Sequence, residues 1–318
     1  MSHIKMLRQH LEHYFILASL IILIFFFGAL SDNFLSIATL TTILNQLPSL
    51  IVVTIGVTLV LIVSDIDLSV GSVLGLSAGV IGISVVGLGL PLPVAFLLAM
   101  LAGATCGFIN GFLSSYLALP SFIVTLGMLE MSRGLAYMST NSQTVFIGPD
   151  IQFIALPFGN TGVSPALAIA LLIVVVAHFI LNKTVFGRYI VAVGTNDKAA
   201  EMTGIDTKRY KLIVLTLSGL LAGLGGIFNA AYLGAADPNA GIGLELSAIA
   251  AAVIGGTSLM GGRGSIIGAL AGVLIIAVLQ NGLAQIGVAE PTKRVITGAV
   301  IIVAVLFDRW KMQKGTLN

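Results

Sequence analysis

The residues of this chain that could do chemistry are few, and nearly all sit among apolar neighbours. Two carboxylates stand two apart in Ser64-Asp65-Ile66-Asp67-Leu68-Ser69, between long apolar runs. Asn110, Thr125 and Asn281 interrupt other runs, Phe122 follows Pro120-Ser121, and Glu130 and Arg133 stand three apart. A charge in the middle of a bilayer costs about 3 kcal/mol on insertion scales, so an ionisable residue there is a functional candidate. Asp67 can cap the helix that follows, where the positive dipole end favours a carboxylate. The other reading has the turn dipping into a helix bundle to shape a solute route. The amides and Thr125 can glue helices or face the hydroxyls of a polar solute. Phe122 can offer a flat face to a sugar or pack in the core. Ser121 is placed to cap its helix, and Glu130 and Arg133 are placed to pair.

Other chemistries lack their residues. Cys106 is the sole cysteine and lies in an apolar run as a small packing residue. His3, His10, His13 and His178 have no metal-ligand spacing. Gly262-Arg263-Gly264 superficially resembles a nucleotide loop, yet no strand precedes it and an apolar run follows. No chain of intramembrane acids of the kind used by ion-coupled carriers is present. The expectation is therefore a non-enzyme with no cofactor in this chain and no energy source of its own. Asp67, Asn110, Phe122, Thr125 and Asn281 are expected to approach a translocation route for a neutral, hydroxyl-rich solute. A passive channel or self-sufficient carrier is the alternative.

The elements that must position these residues follow from composition. Of 318 residues, 57% are hydrophobic and 9% charged, against roughly 25% charged in soluble domains, and mean hydropathy is +1.09. A soluble enzyme, a nucleic-acid binder and a disordered chain are excluded. Continuous apolar runs also exclude the alternating strands of a membrane β-barrel. The fold class expected is an all-α polytopic membrane protein of about ten transmembrane helices. A crossing takes about 20 residues, and the candidate runs are 14–30, 47–63, 71–90, 93–116, 121–138, 165–181, 212–233, 247–260, 264–287 and 295–307. The eighth and tenth are short and are expected to be tilted, broken or re-entrant. Lys5 and Arg8 precede the first run and no small-residue cleavage site follows it, so it reads as a retained span.

Basic residues orient the spans. With both termini in the cytoplasm, twelve of the 15 Lys and Arg fall inside: Lys5, Arg8, Lys183, Arg188, Lys198, Lys208, Arg209, Lys211, Arg263, Arg309, Lys311 and Lys314. Only Arg133, Lys293 and Arg294 fall outside, and an odd number of spans would export the basic C-terminal tail. Residues 1–318 then form a single transmembrane domain, with an external loop at 139–164 and a cytoplasmic loop at 182–211. Neither loop is long enough to bury a core of its own.

Glycines recur every four residues at 71/75/79, 103/107/111, 219/223 and 264/268/272. Each set shares one helix face and reads as a groove for close helix packing. In the cytoplasmic loop, the centre of the stretch 187–205 reads as a short helix capped by Thr195 or Asn196, favoured by Ala199-Ala200 and ended by Gly204. Such a helix suits docking on a partner.

From about Asn33 to Asp308 the sequence resembles the integral-membrane permeases of bacterial ABC importers for monosaccharides, the ribose, xylose, arabinose and galactose group. The resemblance rests on Ile66-Asp67-Leu68-Ser69-Val70-Gly71, Asn110-Gly111, Pro120-Ser121-Phe122-Ile123-Val124-Thr125-Leu126-Gly127, Arg133-Gly134 and the cytoplasmic loop. It continues through Ile249-Ala250-Ala251, Gly255-Gly256-Thr257-Ser258, Gly261-Gly262-x-Gly264 and Asn281-Gly282. It implies a multi-pass protein of the bacterial inner membrane, in which two such subunits, expected as a homodimer, form the pathway. The implied partners are a cytoplasmic ABC ATPase, which holds the ATP and Mg, and a periplasmic sugar-binding protein. It also implies that Asn196, Ala199, Ala200 and Gly204 belong to the coupling helix that docks on the ATPase. The sequence departs from the family where Ser64-Asp65 replaces Gly-Gly, and where Leu244 and Ser247 replace Tyr and Asp.

Overall fold

The computed structural model describes residues 17–159 and 162–315. Lys5, Arg8, the three tail histidines and the first three residues of the expected span 14–30 lie outside the described residues. So do the side chains of Arg309, Lys311 and Lys314.

The chain runs through α1 (Leu17–Leu30), α2 (Ile37–Ile62), α3 (Val70–Gly82), α4 (Leu92–Ser115), α5 (Ser121–Ser139), β1 (Val145–Phe146) and α6 (Pro149–Gln152). It continues with α7 (Pro165–Lys183), α8 (Val185–Thr195), α9 (Asp197–Met202), α10 (Thr207–Leu233), β2 (Ala235–Ala236), α11 (Leu244–Ile254), α12 (Ile266–Gln285) and α13 (Glu290–Gly315). Local chemistry sets several starts: Ser36, Ser164, Thr184, Asp206 and Ser265 each accept a first-turn amide through the side chain. The protein is an all-α polytopic membrane protein. Among the described residues, six stretches are long and apolar enough to cross a bilayer: α2, α3 with the π-turn Ile83–Gly87 that extends it, α4, α7, α10 and α12.

The two runs singled out as short, the eighth and the tenth, take different forms. Residues 247–260 do not form a span, because α11 has 11 residues and covers about 16 Å at 1.5 Å per residue, half of the roughly 30 Å hydrocarbon core. Its end is set by Gly255-Gly256, with Gly256 at φ 89°. The tenth run lies within a longer helix, α13, which begins at Glu290, has 26 residues and carries charged residues at both ends.

α2 and α3 form the centre of the bundle, every residue of 51–62 and 70–79 being buried. α4 and α7 face outward, leaving Leu97, Leu101, Phe108, Leu172, Val175 and Phe179 exposed as a surface for lipid. The broadest helix contact is between α4 and α10, and the glycine sets explain it. A methyl on Gly103 would overlap the Gly219 carbonyl, and one on Gly107 would overlap the Leu215 carbonyl. Without side chains the two backbones touch directly. Gly268 and Gly272 pack in the same way on Gly255 and Ala251 of the α11 segment, while Gly264 meets the Ile62 side chain instead.

The connections gather at two ends. At one, here the cavity end, β1 pairs antiparallel with β2, and Ser31 Oγ donates to Gln285 Oε1 at 3.4 Å. At the other, the docking end, the Gly262 amide donates to the Ile62 carbonyl at 2.9 Å and Ser64 Oγ to the Met260 carbonyl at 3.3 Å. These bonds bring the turn after α2 against the segment after α11.

Candidate functional site

Three places carry the polar groups. The first is a buried knot at the docking end of α3. Asp67 Oδ1 accepts the Ser69 hydroxyl at 2.6 Å and the Ser69 amide at 3.0 Å, while Oδ2 accepts Ser218 Oγ of α10 at 2.8 Å. Asn110 of α4 donates through Nδ2 to Ser69 Oγ at 3.0 Å. Thr125 Oγ1 donates to the Ile66 carbonyl at 3.2 Å, and Ser121 Oγ accepts the Ile66 amide at 3.3 Å. Asp67, Asn110 and Thr125 are thus gathered around one turn and are buried, whereas Phe122 is exposed on α5.

Three local expectations are corrected here. Asp67 does not cap α3, because the helix begins after Ser69 and the Asp67 carboxyl is occupied by Ser69 and Ser218. Ser121 does not cap α5, because its hydroxyl serves Ile66 instead. Arg133 is not ion-paired with Glu130. Its Nη1 donates to the carbonyls of Pro238 at 2.6 Å and Ala240 at 2.9 Å, unpaired acceptors of the irregular segment before α11. The guanidinium thereby satisfies two backbone carbonyls that the irregular segment leaves without a helical partner.

The second place is a cavity of about 660 Å³ at the other end, enclosed by α2, α10, α11, α12 and α13. Its polar lining is mostly neutral. Gln46 Nε2 donates to Tyr232 Oη at 3.1 Å, Asn281 Nδ2 to Gln46 Oε1 at 3.4 Å and to the Ala277 carbonyl at 3.0 Å, and Gln280 Nε2 to Ser247 Oγ at 3.5 Å. Asn45 and Asn229 also line it. Charge enters through α13 alone, where Glu290 pairs with Lys293 at 3.3 Å and lies 4.0 Å from Arg294. A space of this size suits a small organic ligand. Lining it with carboxamides and hydroxyls, which both donate and accept, matches a solute whose hydroxyls do the same.

Asn281 is therefore in the cavity, apart from Asp67, Asn110 and Thr125 in the knot. Sequence reasoning missed Asn45, Gln46, Asn229 and Gln280, and met Ser247 only as a departure from the family. Asn45 and Gln46 lie just before the expected second span, Gln280 stands beside Asn281, and Asn229 stands singly within an apolar run. Their only signal was an amide or hydroxyl in an apolar frame, and only the packing of five helices makes them one lining.

The third place is the segment between α7 and α10. One short helix was expected, and two are found, α8 and α9, broken at Asn196 with φ −160° and ψ 101°. Asn196 caps α9, its Oδ1 accepting the Ala199 amide at 3.0 Å. Ala200 is buried on the inner face of α9, and Gly204 ends the turn at φ 86°. Asp197 opens α9 and accepts Lys211 Nζ of α10 at 2.8 Å. Burial pushes the Asp197 carboxyl up, but the hydrogen bond and charge of Lys211 outweigh it and hold it below the usual carboxylate range. The short helix is so fastened to the start of α10, with exposed Met202 at its tip.

Among the described residues, no group of three or more His, Cys, Asp or Glu is placed to hold a metal ion.

A family model described as branched-chain amino acid transport system / permease component matches residues 39–305. The chain is 40% identical over 301 residues to a ribose import permease protein of Escherichia coli K12, covering 93% of each chain. It is 34% identical over 325 residues to a fructose import permease protein of Rhizobium meliloti, covering 97% of this chain and 90% of that one. It is also 34% identical over 309 residues to an autoinducer 2 import system permease protein of Photorhabdus luminescens, with 96% and 92% covered. No solved structure matches significantly.

Proposed function

The chain belongs to the family of branched-chain amino acid transport system permease components, and on that premise we propose that it is the membrane-spanning subunit of an ATP-driven importer for a neutral monosaccharide. Ribose or a related sugar is the proposed solute. The observation that carries this reading is the 40% identity to a ribose import permease along 93% of both chains. The amide-lined cavity supports the neutral solute, because a carboxylate or ammonium entering it would leave water with few compensating charges.

In this reading a second copy of the chain completes the pathway, a binding protein delivers sugar at the cavity end, and a separate ATPase holding ATP and Mg docks at α9. The excess of Lys and Arg at the docking end supports placing that end in the cytoplasm of a bacterial cell and the protein in its inner membrane. Asp67, Asn110, Phe122 and Thr125 lie at the docking end of the route and Asn281 at its entrance. Asn196, Ala199, Ala200 and Gly204 shape the coupling element.

Proteoliposomes test the reading. The chain alone should pass no sugar, and uptake of radiolabelled ribose should require the ATPase, the binding protein and ATP together. Flux through the chain alone would establish a passive channel or self-sufficient carrier instead. Ala200→Arg, which forces a long charged side chain under α9, should abolish uptake while the protein still inserts. Unchanged uptake in that variant would remove α9 from the coupling role.

A further inference from the structure

The antiparallel seam between α2 and α10 keeps one register over several turns. Ser49 Oγ donates to the Gly225 carbonyl at 3.1 Å. Seven residues on, Gly56 meets Ser218, seven residues back on α10, where an added methyl would lie 3.0 Å from Ser218 Cα. One turn in the other direction, the same register sets Asn45 opposite Asn229, and both line the cavity. In the packed part of the seam Ser49 is paired with the Gly225 carbonyl and Ser218 with Asp67. At this last step two asparagines stand in register, and the side-chain oxygens Asn45 Oδ1 and Asn229 Oδ1 are both buried and accept no hydrogen bond.

Buried amide oxygens are normally paired, and two left open beside a cavity are a pair of acceptors in want of donors. Charged groups are confined to α13 on one side of this cavity, so the donors that fit are neutral hydroxyls. An ammonium would need a carboxylate nearby, and the Glu290 carboxylate is shared between Lys293 and Arg294.

We propose that Asn45 and Asn229 form the solute-selecting pair of this permease, their carboxamides gripping adjacent hydroxyls of a sugar at the cavity mouth, with Gln280 and Asn281 completing the ring of amides. The inference rests on the importer reading and adds to it the residues that choose the solute. Each amide accepts one hydroxyl proton through Oδ1 and offers Nδ2 to a neighbouring sugar oxygen. No bond in the solute is made or broken.

The test is initial uptake of radiolabelled D-ribose, D-fructose and D-xylose by proteoliposomes carrying the permease with its ATPase and binding protein. Asn45→Leu and Asn229→Leu keep the volume and delete the hydrogen bonds, and each should lower uptake of the transported sugar at least fivefold. A smaller fall in both overturns the pair. Thermal unfolding in detergent identifies a variant that has lost its fold, and for such a variant Asn45→Ser or Asn229→Ser decides by the same criterion. If the unaltered chain moves none of the three sugars under these conditions, the sugar-importer reading fails and the pair falls with it. Uptake by the unaltered chain that the variants leave intact removes the pair alone.

Discussion

Ser218 supplies one of the bonds that keep Asp67 satisfied inside the bundle, and it is the only one that arrives from another helix. Removing its hydroxyl leaves Oδ2 buried with no donor, a loss of about 1–3 kcal/mol. Ser218→Ala should therefore lower the thermal unfolding midpoint in detergent, and Ser218→Thr should restore much of it. An unshifted midpoint for Ser218→Ala would mean that the contact contributes nothing to holding α10 on the α3 turn. Asp67 could be singled out from sequence, since a carboxylate between two apolar runs is conspicuous. The way it is satisfied could not, because Ser218 is 151 residues away and a serine among glycines carries no mark of its partner. Asn45 and Asn229 were hidden for the same reason: each is an ordinary amide until the packing of two helices sets them in register.

At the level of elements, glycine spacing was the most legible feature, because a four-residue repeat has one meaning on a helix: a flat face. What it could not specify was which face meets which, and the pairing of 103/107 with 219/223 depends on the whole arrangement of α4 and α10. Gly107→Leu should cost at least about 1–3 kcal/mol, the usual range for overpacking, since backbone rather than a movable side chain blocks it. Gly127 of α5 has nothing within 4 Å of the position its methyl would take. Gly127→Ala should instead stabilise by about 0.5–1 kcal/mol, the helix-interior cost of glycine. Detergent melting of the two variants checks both signs, and equal shifts would show that the seam is not specific. α11 was the least legible element. Its apolar run reads as a span, though a short one, and the two glycines at its end stop it as a half-length helix.

At the scale of the whole molecule, ten basic residues with described side chains divide unevenly. Lys183, Arg188, Lys198, Lys208, Arg209, Lys211 and Arg263 lie at or beside the docking end, while Arg133, Lys293 and Arg294 lie toward the cavity end. The uneven placement of charge was thus readable from sequence, whereas the cavity was not, because it needs five helices in place. The orientation has a direct check on a Cys106→Ser background. Phe146→Cys, at a position 79% exposed near the cavity end, should react with a membrane-impermeant thiol reagent in intact cells. Met202→Cys, at a position 90% exposed on α9, should react only after the membrane is opened. The reverse pattern would invert the topology. The crowding of α10 near its middle has a mechanical consequence. Gly219 and Gly223 rest on α4, Ser218 and Gly225 on α2, and Gly226 on α3, so the helix is clamped there with no side chain to act as a cushion. From that fulcrum one arm runs about 15 Å to Lys211, fastened to α9, and the other about 12 Å to Asn229 at the cavity. A stiff rod pivoting at its centre reverses motion: a push at the end nearest α9 swings the opposite tip the other way, by almost the same distance.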